Sequence, residues 1–327
     1  MAFDFGANGS INKTLRETGV RVFAAVIHLM VACLFVVQAI AQEQRLFAPE
    51  VEVQKEDYAA VRSRFRTKLT RRGPAPQKAK PVPKPPKGVT EVEFQSGQLR
   101  LKAWLSSSPK GSVSKRPAVL FLHGGFAFEP PDWEMAKPYV NAGFVVLVPR
   151  LRGENGQPGS FSMFYDEVDD ALAAGDYLSK LPSVDATRLF VAGHSSGGTL
   201  ALLVAEASRQ FQAAAAFDGS PDQQLLYNGS ATKPGVHKEV VFNTKDLAEL
   251  QVRSPLAYAT SIKCPTRLYY STQASVYFLH TSQRTAQVAK ELGLDVEAIY
   301  VEGNHMSHVA PAMKQSIEFF RRISNGK

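Results

Sequence analysis

The chain predicts an α/β domain, a doubly wound, mostly parallel eight-stranded sheet with helices on both faces and a small lid insertion. Three observations carry that expectation. From residue 89 onward short apolar runs alternate with helical stretches, the pattern of parallel strands joined by crossover helices. One of these strand-to-helix junctions is a glycine-flanked serine. Hydrophobic residues make up 44% and charged residues 21% of the 327, the balance of a chain that buries a core. In order, residues 90–94 and 99–105 read as an antiparallel pair around Ser96-Gly97. Strands follow at 118–122, 144–148, 189–192, 213–217, 266–270 and 297–301, with helices at 165–181, 197–208, 282–292 and 311–323. Residues 219–262 show no regular period and are expected to form the lid.

The formal charge of +8 is unevenly placed. Residues 89–327 hold 23 basic and 23 acidic side chains, so the whole excess lies in the amino-terminal arm. A neutral body argues against a nucleic-acid partner. Within the arm, Lys13, Arg16 and Arg21 precede an apolar run at 22–40 that ends in Ala39-Ile40-Ala41. That is the layout of a signal peptide, and the run of about 19 residues also suffices for a membrane anchor. Either reading exports the body to the periplasm or beyond. Residues 42–88 are basic and rich in proline and lysine, expected as a semi-rigid linker after a short helix within 50–72. Contact of residues 1–88 with membrane or cell-wall polymer is one use of that charge, and a merely solvated linker is the simpler one. Of the two cysteines, Cys33 lies in the export segment, and Cys264 precedes a strand as a small hydrophobe. Number and spacing imply no disulfide and no metal site.

The chemistry centres on Gly193-His194-Ser195-Ser196-Gly197-Gly198, which follows the apolar run 189–192 and precedes a helical one. Such an elbow exposes a serine nucleophile on a strained turn. The oxyanion that forms when serine attacks a carbonyl needs preset backbone donors. Ser196 offers one, and the loop His123-Gly124-Gly125-Phe126 after the strand at 118–122 offers a second from Gly125 or Phe126. His123 reads as a brace for that loop. The base comes late in chain order; His305 in Glu302-Gly303-Asn304-His305 fits, with His308 as runner-up.

With these motifs, residues 89–327 resemble the α/β-hydrolase superfamily, in particular the catalytic domain of the prolyl oligopeptidase and dienelactone hydrolase group. The stretch 166–205 and Arg150-Leu151-Arg152-Gly153-Glu154 carry most of the likeness. The resemblance implies a triad acid after the next-to-last strand, but Ala274 stands there. Asp218, at the end of the preceding strand, can replace it, with Asp222 nearby. A serine–histidine dyad and a turn-capping role for Asp218 are the competing readings.

The arm at 42–88 is too short for the β-propeller of prolyl oligopeptidases, and dienelactone hydrolases resemble the size better but typically use cysteine. The expected activity is therefore cleavage of a small-molecule ester, or of an amide or short peptide, through an acyl-serine, with no cofactor and no metal. The alternative is a catalytically weak or inactive binding module on the same scaffold, which Ala274 favours.

Overall fold

The computed structural model describes residues 49–78, 81–107, 114–229 and 236–326. The export and anchor expectations and Cys33 fall outside the described residues, among which no helix is long and apolar enough to cross a membrane. Eight strands form one sheet: β1 (Val89–Ser96), β2 (Leu99–Ser106), β3 (Arg116–Leu122), β4 (Val145–Pro149), β5 (Val184–His194), β6 (Ala213–Phe217), β7 (Thr266–Ser271) and β8 (Val296–Val301). Their order is β1-β2-β4-β3-β5-β6-β7-β8. The pairs β1–β2 and β2–β4 are antiparallel and every other pair is parallel. The expected sheet class and all eight strands are present.

Period-two alternation sorts the central strands onto two cores. Leu120, Leu122 and Val191 share one with α3 (Glu167–Ser179) and α4 (Ser196–Ala207), through Ala171, Ala174, Leu200 and Leu203. Phe121, Phe190 and Phe217 share the other with α2 (Pro130–Asn141) and α8 (Val309–Ser324), through Trp133, Tyr139, Met313 and Phe320. Phe190 and Phe320 stack with centroids 4.5 Å apart. Each such fully buried large side chain stabilises the fold by about 1.5–3 kcal/mol. A third cluster seats α7 (Val276–Glu291) on β7 and β8 through Ala286, Ala289, Leu268 and Val296.

Two helices depart from expectation. The sequence reading has no helix at α2, which opens with Pro130-Pro131. The prolines occupy the first helical positions, where a missing N–H costs nothing, and the Asp132 carboxylate accepts the Glu129 N–H at 2.7 Å. α7 begins at Val276, six residues before the expected start. The insertion at 219–262 is also more ordered than expected. It carries α5 (Gln223–Asn228), α6 (Leu247–Gln251) and 3₁₀ turns at Val236–Glu239 and Pro255–Ser261, with Asp222, Arg253 and Tyr258 buried.

The largest correction concerns the arm. Residues 49–78, expected as part of a linker apart from a short helix, pack onto the body. That helix is α1 (Tyr58–Arg64), capped by Asp57, whose carboxylate accepts the Ala59 N–H at 2.9 Å. Tyr58 is fully buried and its hydroxyl donates to the Val252 carbonyl at 2.8 Å. The Val51 N–H donates to Asp222 at 2.9 Å, and Leu69 bridges Phe242. Arg253, wholly buried, ties arm to insertion: its guanidinium donates to Thr67 Oγ1 at 2.7 Å, to Glu249 Oε2 at 2.6 Å and to the Met163 carbonyl at 2.8 Å. The arm's partners in the body lie far away in sequence, so no local pattern announces them. Residues 81–88 keep the irregular backbone expected of a spacer.

Glu206 on α4 is completely buried, and neither carboxyl oxygen finds a hydrogen-bond partner among the described residues. Burial raises its pKa well above 4.5. Burial likewise pushes Glu167 up to about 7 and Asp222 up to about 6, against the hydrogen bonds each accepts. A folded-state pKa raised above the unfolded value contributes stability that is full below the unfolded pKa and is lost as pH rises through the folded one. Thermal stability is therefore expected to fall from mildly acidic pH toward alkaline pH. Glu206→Met removes the unpaired group at similar volume and should stabilise the protein by about 1–3 kcal/mol near pH 8, with less gain in acid. A variant no more stable than the parent near pH 8, by thermal denaturation, would refute this.

Candidate active site

From β3 the chain crosses to β4 on one side, and after β4 it passes back to β5 on the other side of β3. The crevice at the carboxyl ends of two strands that part in this way is where ligands bind in open α/β sheets. The His123–Phe126 loop and Ser195 both emerge there. Ser195 sits between β5 and α4 at φ 56° and ψ −119°, a strained conformation costing about 1–3 kcal/mol. Its N–H donates to the Phe217 carbonyl at 2.8 Å. The flanking glycines are required by contact: a Cβ on Gly193 would strike the Gly197 carbonyl, and one on Gly197 the Leu122 carbonyl. The elbow's spacing is thus a consequence of how closely strand, helix and neighbouring strand approach.

His305 lies in the loop between β8 and α8. Its Nδ1 is 3.1 Å from Asp218 Oδ2. Asp218 is buried at the end of β6, at φ 45°. Adjacent β7 supplies two more donors, the Ser271 N–H to Oδ1 at 2.8 Å and the Ser271 hydroxyl to Oδ2 at 2.9 Å. Burial alone would raise this carboxyl, but the bonds from His305 and Ser271 hold it below the usual carboxylate range. Ala274 sits in the turn after β7, its N–H donating to the Ser271 carbonyl at 3.0 Å. Asp222 is turned elsewhere, capping α5 through the Leu225 N–H at 2.9 Å and holding Val51. His308 is buried with Nδ1 3.0 Å from the Asn304 carbonyl and 3.6 Å from Asp218 Oδ2.

His194 was not given a role by sequence reasoning. Its ring lies 4.6 Å from that of His305, centroid to centroid, and its Nε2 is 2.9 Å from the His305 carbonyl. Burial, with His305 nearby, pushes its pKa down to about 4. The neutral ring donates Nε2–H to that carbonyl and tethers the histidine loop to the elbow. The sequence signal was only its place beside the serine. The His305 ring bonds to Asp218 and makes no direct hydrogen bond to Ser195 Oγ in this structure, the looser spacing common in resting sites.

The loop after β3 is braced by His123. Its Nδ1 lies 3.0 Å from the Gly124 carbonyl and its Nε2 3.0 Å from Glu154. Burial works to lower the His123 pKa, yet the Glu154 carboxylate holds it up at about 9. The Ser196 hydroxyl donates to the Gly125 carbonyl at 2.6 Å. The Phe126 N–H is engaged by the arm, donating to Gln77 Oε1 at 2.7 Å. The N–H groups of Gly125 and Ser196 take no hydrogen-bond partner among the described residues. A cavity of about 440 Å³ opens over Ser195, walled by Phe126, Phe164, Leu226 and Phe278, with Lys238 and Glu239 also in its lining. A larger groove beside α1, about 710 Å³ and lined by Arg62, Arg66 and Arg72, shares no residue with it.

Sheet order and the serine elbow define an α/β-hydrolase. Within that class the chain belongs to the prolyl oligopeptidase family, whose model matches residues 132–325, and so is a serine hydrolase. An uncharacterized peptidase of Bacillus subtilis (strain 168), YtmA, is 26% identical over 215 residues, 63% of this chain and 81% of that one. The acylaminoacyl peptidase of Pyrococcus horikoshii superposes with a TM-score of 0.58 at 26% identity, covering 72% of this chain and 41% of that one. The chain thus spans less than half the length of that peptidase. The esterase Est2 of Thermogutta terrifontis shares the fold, with a TM-score of 0.57 at 18% identity over 72% of this chain and 93% of its own.

Proposed function

We propose that the protein hydrolyses carboxylic esters of small apolar acyl groups through an acyl-serine intermediate. The observation that carries the reading is the contact between His305 Nδ1 and Asp218 Oδ2 beside a strained Ser195. Asp218 keeps the proton on Nδ1, so Nε2 is the basic nitrogen. As substrate enters, His305 closes on Ser195 and takes the Oγ proton while Oγ bonds to the carbonyl carbon. The carbonyl oxygen becomes the oxyanion, held by the N–H groups of Ser196 and Gly125. Collapse breaks the bond to the alkoxide, which leaves with the proton from Nε2. Water then repeats the sequence, releasing the acid and restoring Ser195.

The aromatic walls of the cavity favour an uncharged apolar acyl group. Of the charged side chains in the lining, Lys238 and Glu239 are adjacent in sequence and opposite in charge, and the Asp218 carboxylate is engaged by His305 and Ser271. A second reading, cleavage of short acylated peptides, is favoured by the identity shared with two peptidases. Both are tested by comparing p-nitrophenyl acetate, butyrate and octanoate with N-acetyl-alanyl p-nitroanilide, alongside labelling by a fluorophosphonate. The ester reading expects butyrate to exceed the anilide by at least about tenfold in kcat/KM. An anilide rate equal to the ester rate would select the peptide reading. A folded protein that neither turns over nor labels would leave the inactive binding module.

A further inference from the structure

The arm reaches the serine site through a strap at residues 73–77. The Phe161 N–H donates to the Gly73 carbonyl at 2.9 Å, and the Ala75 N–H to the Gly153 carbonyl at 2.9 Å. These bonds lay the strap along the loops after β4, and its last residue, Gln77, meets the Gly125–Phe126 peptide. That peptide is held at both edges: its carbonyl accepts from the Ser196 hydroxyl at 2.6 Å, and its N–H donates to Gln77 Oε1 at 2.7 Å. A planar trans peptide points its carbonyl and N–H in opposite directions, so Ser196 and Gln77 grip it from opposite sides. Gly125 itself lies at φ 67°, and a Cβ there would meet Gln77 Oε1 at 2.7 Å. Glycine has little conformational preference of its own. The peptide that carries its N–H is held at the Gly124 carbonyl by His123, and the peptide that follows is held by Ser196 and Gln77, so both sides of Gly125 are fixed from outside the residue.

We propose that Gln77 is a positioning residue for the oxyanion site, the second jaw of a clamp that aims the Gly125 N–H. This rests on the hydrolase reading above. It gives the arm a part in the chemistry, although Gln77 lies outside the segment matched by the family model. Gln77 does not occupy the oxyanion position itself: the N–H it engages points away from Ser196, while the Gly125 N–H stays open.

The test measures kcat and KM of the full chain on p-nitrophenyl butyrate for Gln77→Met, Gln77→Glu, Ser196→Ala and the Gln77→Met/Ser196→Ala double variant, with thermal midpoints for each. Methionine keeps the length and removes the acceptor. It should lower kcat by roughly ten- to a hundredfold, the scale of a misplaced catalytic group, with KM changed less than about twofold. Glutamate keeps an acceptor oxygen at the same reach and should recover part of the loss. The two single losses should not multiply in the double variant, since both act on one peptide. An unchanged kcat with only a lowered thermal midpoint would make Gln77 merely structural. A raised kcat would make it an obstruction, and multiplying losses would deny the shared clamp. Each of these overturns the proposal while wild-type turnover persists. Absence of turnover by the wild type would instead remove the hydrolase reading and this inference with it.

Discussion

Replacing Ser195 with alanine is expected to lower kcat for p-nitrophenyl ester hydrolysis by about 10⁶-fold and to abolish fluorophosphonate labelling, the loss seen when a nucleophile is removed from a triad acting as a unit. The neighbouring hydroxyls of Ser196 and Ser220 in the cavity lining are engaged elsewhere. Ser196 points its Oγ at the Gly125 carbonyl, and Ser220 pairs with the Tyr277 hydroxyl. The fold should survive, because Ser195 spends its N–H on Phe217 and its side chain on no structural bond. Alanine at φ 56° keeps the backbone strain, whereas Ser195→Gly releases it and should raise stability by about 1 kcal/mol. A stabilised, inactive glycine variant would show that the elbow trades stability for function. Retention of even a tenth of wild-type turnover by Ser195→Ala would remove Ser195 as nucleophile.

Asp218→Asn is expected to cost about 10⁴-fold in kcat with little change in KM, as when the buried acid of a serine triad becomes an amide. The Ser271 N–H and hydroxyl both donate to this side chain. The Ser271 N–H holds the amide oxygen at the Oδ1 position, which leaves the amide nitrogen at the Oδ2 position facing His305, with the Ser271 hydroxyl free to turn and accept from it. His305 would then accept at Nδ1 and carry its proton on Nε2, the tautomer unable to take a proton from Ser195. Steady-state kinetics with a fluorophosphonate labelling rate decide the matter, since labelling also requires the base. Wild-type rates in Asp218→Asn, with Ser195→Ala dead, would establish a dyad and return Asp218 to a structural role.

Much of this was legible in the chain. The central strands were visible as apolar runs buried on both sides, β1 and β2 as a pair flanking Ser96-Gly97, and the elbow because two backbones approach too closely for any residue but glycine at 193 and 197. The acid was harder. Ala274 marks where the family pattern is broken, and Asp218 stood out only as a carboxylate at a strand end. Its reach to His305 depends on β6 lying beside β7, with Phe217 paired to Tyr269, and on the turn at 301–305. Sequence left Gly125 and Phe126 equal as donors, because the direction of a peptide plane leaves no trace in residue type.

The arm shows the limit most sharply. Its arginines and prolines read as solvated, yet Tyr58 and the Val51 N–H are bound by residues nearly two hundred positions away. By itself the sequence determined the sheet, the serine elbow and the late histidine loop proposed to serve it, since each is encoded by a local period or by a steric demand on adjacent residues. Tertiary structure alone decided which carboxylate meets His305, which N–H groups stay open beside Ser195, and that Gln77 belongs to the site. Those outcomes depend on hydrogen bonds between segments brought together only by folding.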